Sequence, residues 1–121
     1  MFSSVGTFHY GPKIRAIILV DQGIADFYYS LIPKSFRANR QFYPAHVSAV
    51  RYEDPPKMEF WGKHENEMIE FFYSPIIFND STYFWIDIQS PMIETIRMEL
   101  GLGAYRQGRN EYHMTIGNIK Q

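Results

Sequence analysis

The chain has 121 residues, a length that suits one domain spanning 1–121, and its 45% hydrophobic and 21% charged residues are ordinary for a globular protein. A formal net charge of -1 excludes a whole-molecule electrostatic binder of long nucleic acid, so any anion site must be a local patch. The absence of cysteine excludes disulfides and thiolate metal sites, no run approaches the roughly 18 apolar residues of a membrane span, and the opening MFSSVGTFHYGPK lacks the basic start and apolar block of a signal peptide. The expectation is a soluble cytoplasmic protein.

The first predicted element is IRAIILV (14–20), a nearly continuous apolar run that reads as a strand buried on both faces. DQGIADFYYSLIP follows, with Asp21 as N-cap, Ile24, Phe27, Tyr28 and Leu31 at helical spacing, and Pro33 marking the end. KSFRANRQFYP (34–44) is polar and basic and reads as a connection. AHVSAVR (45–51) alternates, placing His46, Ser48 and Val50 on one strand face and Ala45, Val47 and Ala49 on the other.

MEFWGKHENEMIEFFYSP reads as a hairpin turning near 64–66, because Phe60, Trp61, Phe71, Phe72 and Tyr73 favour strands. NDST (79–82) is a turn cluster and YFWIDIQ (83–89) a strand. SPMIETIRMELGLG is the clearest helix: Ser90 caps it, Pro91 suits its first position and Glu94 lies in its first turn. Ile93, Ile96 and Leu100 form its apolar stripe, and Gly101 or Gly103 can end it. AYRQGRN (104–110) is a basic loop, and EYHMTIGNI (111–119) is the last strand. Met58, Met68, Met92 and Met98 are assigned to the core. Each half thus supplies a helix followed by a strand, which predicts an α+β domain with internal pseudo-twofold symmetry around a shared cleft.

Those two strands carry the same small device. His46 is followed two residues on by Ser48, and His113 by Thr115. Residues i and i+2 of a strand share a face, about 6–7 Å apart, so each device offers an imidazole and a hydroxyl to one cleft. A lone histidine on a strand usually packs or faces solvent; the repetition is what suggests function. One neutral imidazole and one imidazolium are what in-line displacement at phosphorus needs, and two hydroxyls can donate to non-bridging oxygens. Two histidines without a third strong ligand make a poor zinc shell, although Glu111 could share the His113 face. No metal and no cofactor is therefore expected. His9 and His64 lack such a partner and read as ordinary surface or loop residues.

The paired devices resemble those of the 2H phosphoesterase superfamily. YYSLIPKSF, YPAHVSAVR, MEFWGKHENE, IRMELGL and YHMTIGN together are similar to its phage-encoded branch, which includes anti-CBASS nucleases that degrade the cyclic oligonucleotides of bacterial antiphage signalling. The resemblance runs from about residue 10 onward. It implies a bilobed fold with antiparallel sheets around a central groove. It implies metal-independent cleavage of 3′–5′ phosphodiesters by ribose 2′-hydroxyl attack, in the host cytoplasm if the gene is phage-borne. His46 and His113 would be the acid–base pair, in either order, and Ser48 and Thr115 the phosphate binders. The partner would be a cyclic di- or trinucleotide; ring size and bases stay open, and there is room for a homo-oligomer.

A nucleotide wants aromatic faces and cations. Tyr10, Trp61, Tyr105 and Tyr112 are the stacking candidates, whereas Trp85 is assigned to the core. Basic residues cluster at 34–40, at Arg51 and at 105–109; of these, Arg106 and Arg109 lead straight into His113 and are the preferred anion contacts. Two further readings share these residues: processing of RNA ends that bear 2′,3′-cyclic phosphates, and sequestration of nucleotides without cleavage.

Overall fold

The computed structural model describes residues 1–120. Its elements, in chain order, are β1 (Phe2–Gly11), β2 (Arg15–Leu19), α1 (Gln22–Ser30), β3 (Asn39–Arg40), β4 (His46–Val50), β5 (Met68–Asn79), β6 (Tyr83–Gln89), α2 (Pro91–Glu99) and β7 (Tyr112–Asn118). The composition is mixed α and β, as expected, but the strands do not form separate sheets around a cleft. They run in the order β3–β7–β4–β2–β1–β5–β6, all neighbours antiparallel. β6 pairs back onto β7, so six strands close into a barrel and β3 is left on its rim. Closure removes both free edges that one open sheet would expose.

The internal repeat is visible in the connectivity. β1–β2–α1–β4 and β5–β6–α2–β7 are each a hairpin, a helix and a strand. In the barrel β4 lies beside β7 and β1 beside β5, as a twofold axis through those two seams requires. β1 has no counterpart in the sequence reading, because only Gly6 and Phe8 of its residues are buried and the rest give little apolar alternation.

Inside the barrel, Phe8, Ile18, Val47, Ile69, Phe71, Ile86, Ile88 and Met114 are buried. β2 is buried on one face only, with Ala16 and Ile18 inside and Leu19 exposed, so its apolar run marks a strand whose outer side faces an open hollow rather than a second layer. Asp21 caps α1 as expected, accepting from Gly23 N–H at 2.8 Å. The buried face of α1 is Ala25 and Tyr28, however, while Phe27 and Leu31 of the expected stripe are exposed. α2 follows its sequence closely: Ser90 Oγ accepts from Ile93 N–H and donates to the Glu70 carbonyl, Ile93, Ile96 and Leu100 are buried, and Gly101 takes the left-handed cap conformation at φ 83°.

The hairpin expected near 64–66 is absent. Residues 58–60 form a 3-10 turn, Gly62 and Asn66 adopt positive φ, and β5 instead pairs with β6 across the Asp80 turn. His64 holds this region: Nδ1 lies 2.7 Å from Glu67 and Nε2 2.9 Å from Glu99 on α2. Burial opposes its charge, but the two carboxylates outweigh that and raise its pKa. It is a half-buried tie between turn and helix, not a free surface residue. Met58, Met68, Met92 and Met98 are all exposed, correcting their assignment to the core. Branched aliphatics and phenylalanine fill the barrel, and Met92 and Met98 fall off the Ile93–Ile96–Leu100 stripe of α2.

One buried cation ties the second helix to the loops around β4 and β7. Arg97, 1% exposed, donates to both Glu53 carboxylate oxygens at 2.7 and 2.8 Å, to the Ala49 carbonyl at 2.7 Å and, through Nε, to the Gly103 carbonyl at 2.9 Å. Glu53→Ala leaves that guanidinium buried without its countercharge and should cost about 3–5 kcal/mol of unfolding free energy, measured by urea denaturation. Asp26→Ala removes the exposed pair with Arg40 and an exposed hydrogen bond from Gln22, and should cost about 1 kcal/mol or less.

Candidate functional site

Alternation along β4 and β7 decides which side chains leave the barrel. Val47 and Ala49 point in, so His46 and Ser48 point out; Tyr112, Met114 and Ile116 point in, so His113 and Thr115 point out. Val50 departs from the expected His46 face, because a register shift in the pairing of β2 with β4 sets it across from Ala16 and buries it.

The two strands are neighbours, joined where Val47 pairs with Met114. Continuing that register by one residue sets His46 across from Thr115 and Ser48 across from His113. Cross-strand neighbours have Cβ atoms about 4.5–5.5 Å apart and diagonal ones about 7–8 Å. The four residues therefore form a square on one face, each imidazole opposite a hydroxyl and the imidazoles on a diagonal. The adjoining registers extend it into two rows. One runs Leu19, His46, Thr115, Trp85, and the other His9, Ile17, Ser48, His113, Asp87.

Two hollows abut over this face. One, of about 320 Å³, is lined by His46 and Ser48 together with His9, Tyr10, Arg15 and Ile17. The other, of about 500 Å³, is lined by His113 and Thr115 together with Trp85, Arg106, Arg109 and Lys120. Gln41, Tyr43 and Arg51 line both and form the ridge between them. The devices thus share a face, but each opens into its own hollow, which differs from the single shared cleft the sequence led us to expect.

The two imidazoles differ electrically. His113 is solvent-reachable on one side, yet the walls of its hollow crowd the rest of the ring. That desolvation, aided by Arg109, Arg106 and Arg51 and opposed by its strand partner Asp87, lowers its pKa. His46 has Nδ1 2.7 Å from the Pro44 carbonyl. A carbonyl only accepts, so Nδ1 carries the hydrogen and Nε2 is the nitrogen left for a ligand.

The remaining expected residues divide. Arg106 and Arg109 do line the His113 hollow. Tyr10 lines the His46 hollow, although its ring also packs 4.8 Å from Trp61 and 4.9 Å from Phe8. Trp61 packs against Tyr10 and the core and lines neither hollow, because its turn folds the ring back onto the barrel. Tyr112 cannot stack on a ligand: it is 6% exposed, its hydroxyl donates to the Ala104 carbonyl, and burial raises its pKa. Its odd-numbered neighbours in β7 own the outer face. Tyr105 packs on Tyr112, with centroids 5.2 Å apart.

Trp85 is the aromatic that sequence reasoning misplaced. Phe84, Ile86 and Ile88 are the inward set of β6, which turns Trp85 and Asp87 outward beside Thr115 and His113. Strict alternation in YFWIDIQ was the available signal. Arg15 and His9 join the site only through the registers of β1 and β2, which the sequence did not reveal.

No family model matches the chain, and neither a curated protein nor a solved structure matches it.

The charges around His113 set opposite signs for two substitutions. In an NMR pH titration its midpoint should lie below the ordinary histidine value of 6.5. Asp87→Asn should lower that midpoint further by removing a carboxylate that favours the imidazolium, and Arg109→Gln should raise it by removing a repelling cation.

Proposed function

We propose that the chain is a metal-independent phosphodiesterase of the 2H type that cleaves 3′–5′ bonds in cyclic oligonucleotide messengers, as anti-CBASS nucleases do. The observation that carries this reading is the square of His46, Ser48, His113 and Thr115 on the outer face of two paired strands, with cationic hollows on either side. On the same reading, the repeated hairpin–helix–strand unit is the duplication from which the two histidine motifs descend.

The depressed pKa of His113 keeps it neutral near pH 7, which suits it to accept a proton. It takes the hydrogen of a ribose 2′-hydroxyl as that oxygen bonds to the adjacent phosphorus. The bond from phosphorus to the 5′-oxygen breaks, and His46, as the acid, gives a proton from Nε2 to the departing oxygen. The product is a 2′,3′-cyclic phosphate and a free 5′-hydroxyl. Ser48 and Thr115 donate to the non-bridging oxygens, and Arg106 and Arg109 offset the charge gathering there.

Turnover of cyclic di- and trinucleotides in excess EDTA should show cleavage, with a linear product ending in a 2′,3′-cyclic phosphate. His46→Ala and His113→Ala should each lower the rate by about 10²–10⁴ while circular dichroism shows an intact fold. A substrate with hydrogen in place of each 2′-hydroxyl should survive. The acid limb of the pH–rate profile should lie below the ordinary histidine value, because activity is lost as His113 protonates. Turnover only of RNA ends would move the substrate class, and binding without product would make the chain a nucleotide-sequestering protein.

A further inference from the structure

Two histidines lie outside the paired devices, and they are held differently. His64 has both ring nitrogens on carboxylates of its own fold, Glu67 and Glu99. His9 has only one nitrogen so occupied, and its ring lines the His46 hollow. Nδ1 of His9 lies 2.6 Å from Glu65 Oε2, while Glu65 Oε1 accepts the Tyr10 N–H at 2.8 Å. That backbone donor first, and His9 second, hold the Glu65 carboxyl below its usual range. An ionised carboxylate only accepts, so Nδ1 of His9 carries the hydrogen and Nε2 is the nitrogen left for a ligand.

We propose that the hollow of about 320 Å³ is a second phosphate subsite, in which Nε2 of His9, oriented by Glu65, acts with Arg15 and Arg51 on the phosphate next to the one under attack. The inference rests on the phosphodiesterase reading only for the identity of that neighbouring phosphate.

Three further observations support it. The register His9–Ile17–Ser48 puts His9 two strands from Ser48, about 10 Å at the ordinary strand spacing, on the scale of one nucleotide unit. Ile17 lies between them, and Leu19 and Tyr43 also line the hollow, a surface suited to the nucleoside that joins two phosphates. Arg15 and Arg51 each adjoin a residue in the left-handed region, Ile14 at φ 53° and Tyr52 at φ 58°. That conformation is unfavourable for a β-branched side chain such as Ile14, and such strain concentrates where a fold must hold a ligand group in place.

The subsite is tested first without turnover, by titrating adenosine 5′-monophosphate and adenosine into the full chain and following histidine ring signals by NMR. The monophosphate should shift the His9 and His46 signals, and adenosine should bind at least about tenfold more weakly. His9→Gln should weaken the monophosphate about tenfold, and Glu65→Gln should weaken it in the same direction by less. Equal affinity for adenosine, or undiminished affinity in His9→Gln, overturns the proposal. Should His9→Gln fail to fold, Arg15→Gln carries the same expectation and the same refutation.

The second arm uses turnover. On a cyclic dinucleotide, with two phosphates, His9→Gln should raise KM more than it lowers kcat. Its loss in kcat/KM should exceed that on a linear dinucleoside monophosphate, which has one phosphodiester, by about fivefold or more. Equal losses on both substrates overturn the subsite. If the unaltered chain cleaves neither substrate, the phosphodiesterase reading falls, and the monophosphate titration alone decides the subsite.

Discussion

The pairing of Val47 with Met114 joins β4 to β7, and the geometry of the candidate site follows from that seam. Both residues are fully buried, so the apolar interior fixes the register as strongly as the main chain does. A slip of one residue on either strand would turn Val47 or Met114 out to water and carry a histidine into the hydrocarbon core. Burial of two aliphatic side chains thus sets the position of two polar devices that never touch the core. The Arg97 clamp supports the same region from one end, because its partners Ala49, Glu53 and Gly103 lie next to the segments that deliver Arg51 and Arg106.

The two halves repeat one topology but differ where they meet the outer face. Beside His46, β2 supplies Leu19 and Ile17; beside His113, β6 supplies Asp87 and Trp85. His46 is tied to a backbone carbonyl, whereas His113 stands among three guanidiniums and one carboxylate. Acid–base chemistry at phosphorus needs two imidazoles in different protonation states, and identical surroundings would work against that. On the proposed reading, the different flanking strands would serve that need while the shared topology keeps the rings in register.

The sequence made legible whatever local chemistry determines. Asp21 and Ser90 cap their helices, Gly101 ends α2, Asp80 turns the β5–β6 hairpin, and the alternation of HVSAV and YHMTIGN sends both devices out of the core. What stayed hidden depends on pairing between distant segments. β1 could not be read, because a strand whose inward residues include a glycine and whose outward residues are mostly serine, threonine and histidine has no apolar rhythm. Losing β1 meant losing His9 and the hollow that it lines together with Arg15 of β2. Tyr112 and Trp85 were exchanged for a related reason: aromatic rings suit both a core and a ligand face, and only strand parity separates them. Parity places Tyr112 inside with Met114, and Trp85 outside with Asp87.

The reaction proposed for this face on the outside of a barrel would carry a physical constraint. Charges in open hollows act through a dielectric closer to that of water than of a protein interior, so each contact to a single phosphate is weak. For the proposed reaction, the binding energy that aligns an attacking hydroxyl would come from parts of the ligand remote from the bond that breaks. Two hollows on either side of a ridge, each with its own cations and aromatic wall, can supply it to a ligand that reaches into both. Tyr43 and Arg51 stand on that ridge and meet whatever crosses it. The proposed ligand, a compact molecule with several phosphates and bases, would reach both hollows, whereas an isolated phosphate ester would engage one and leave the other to water.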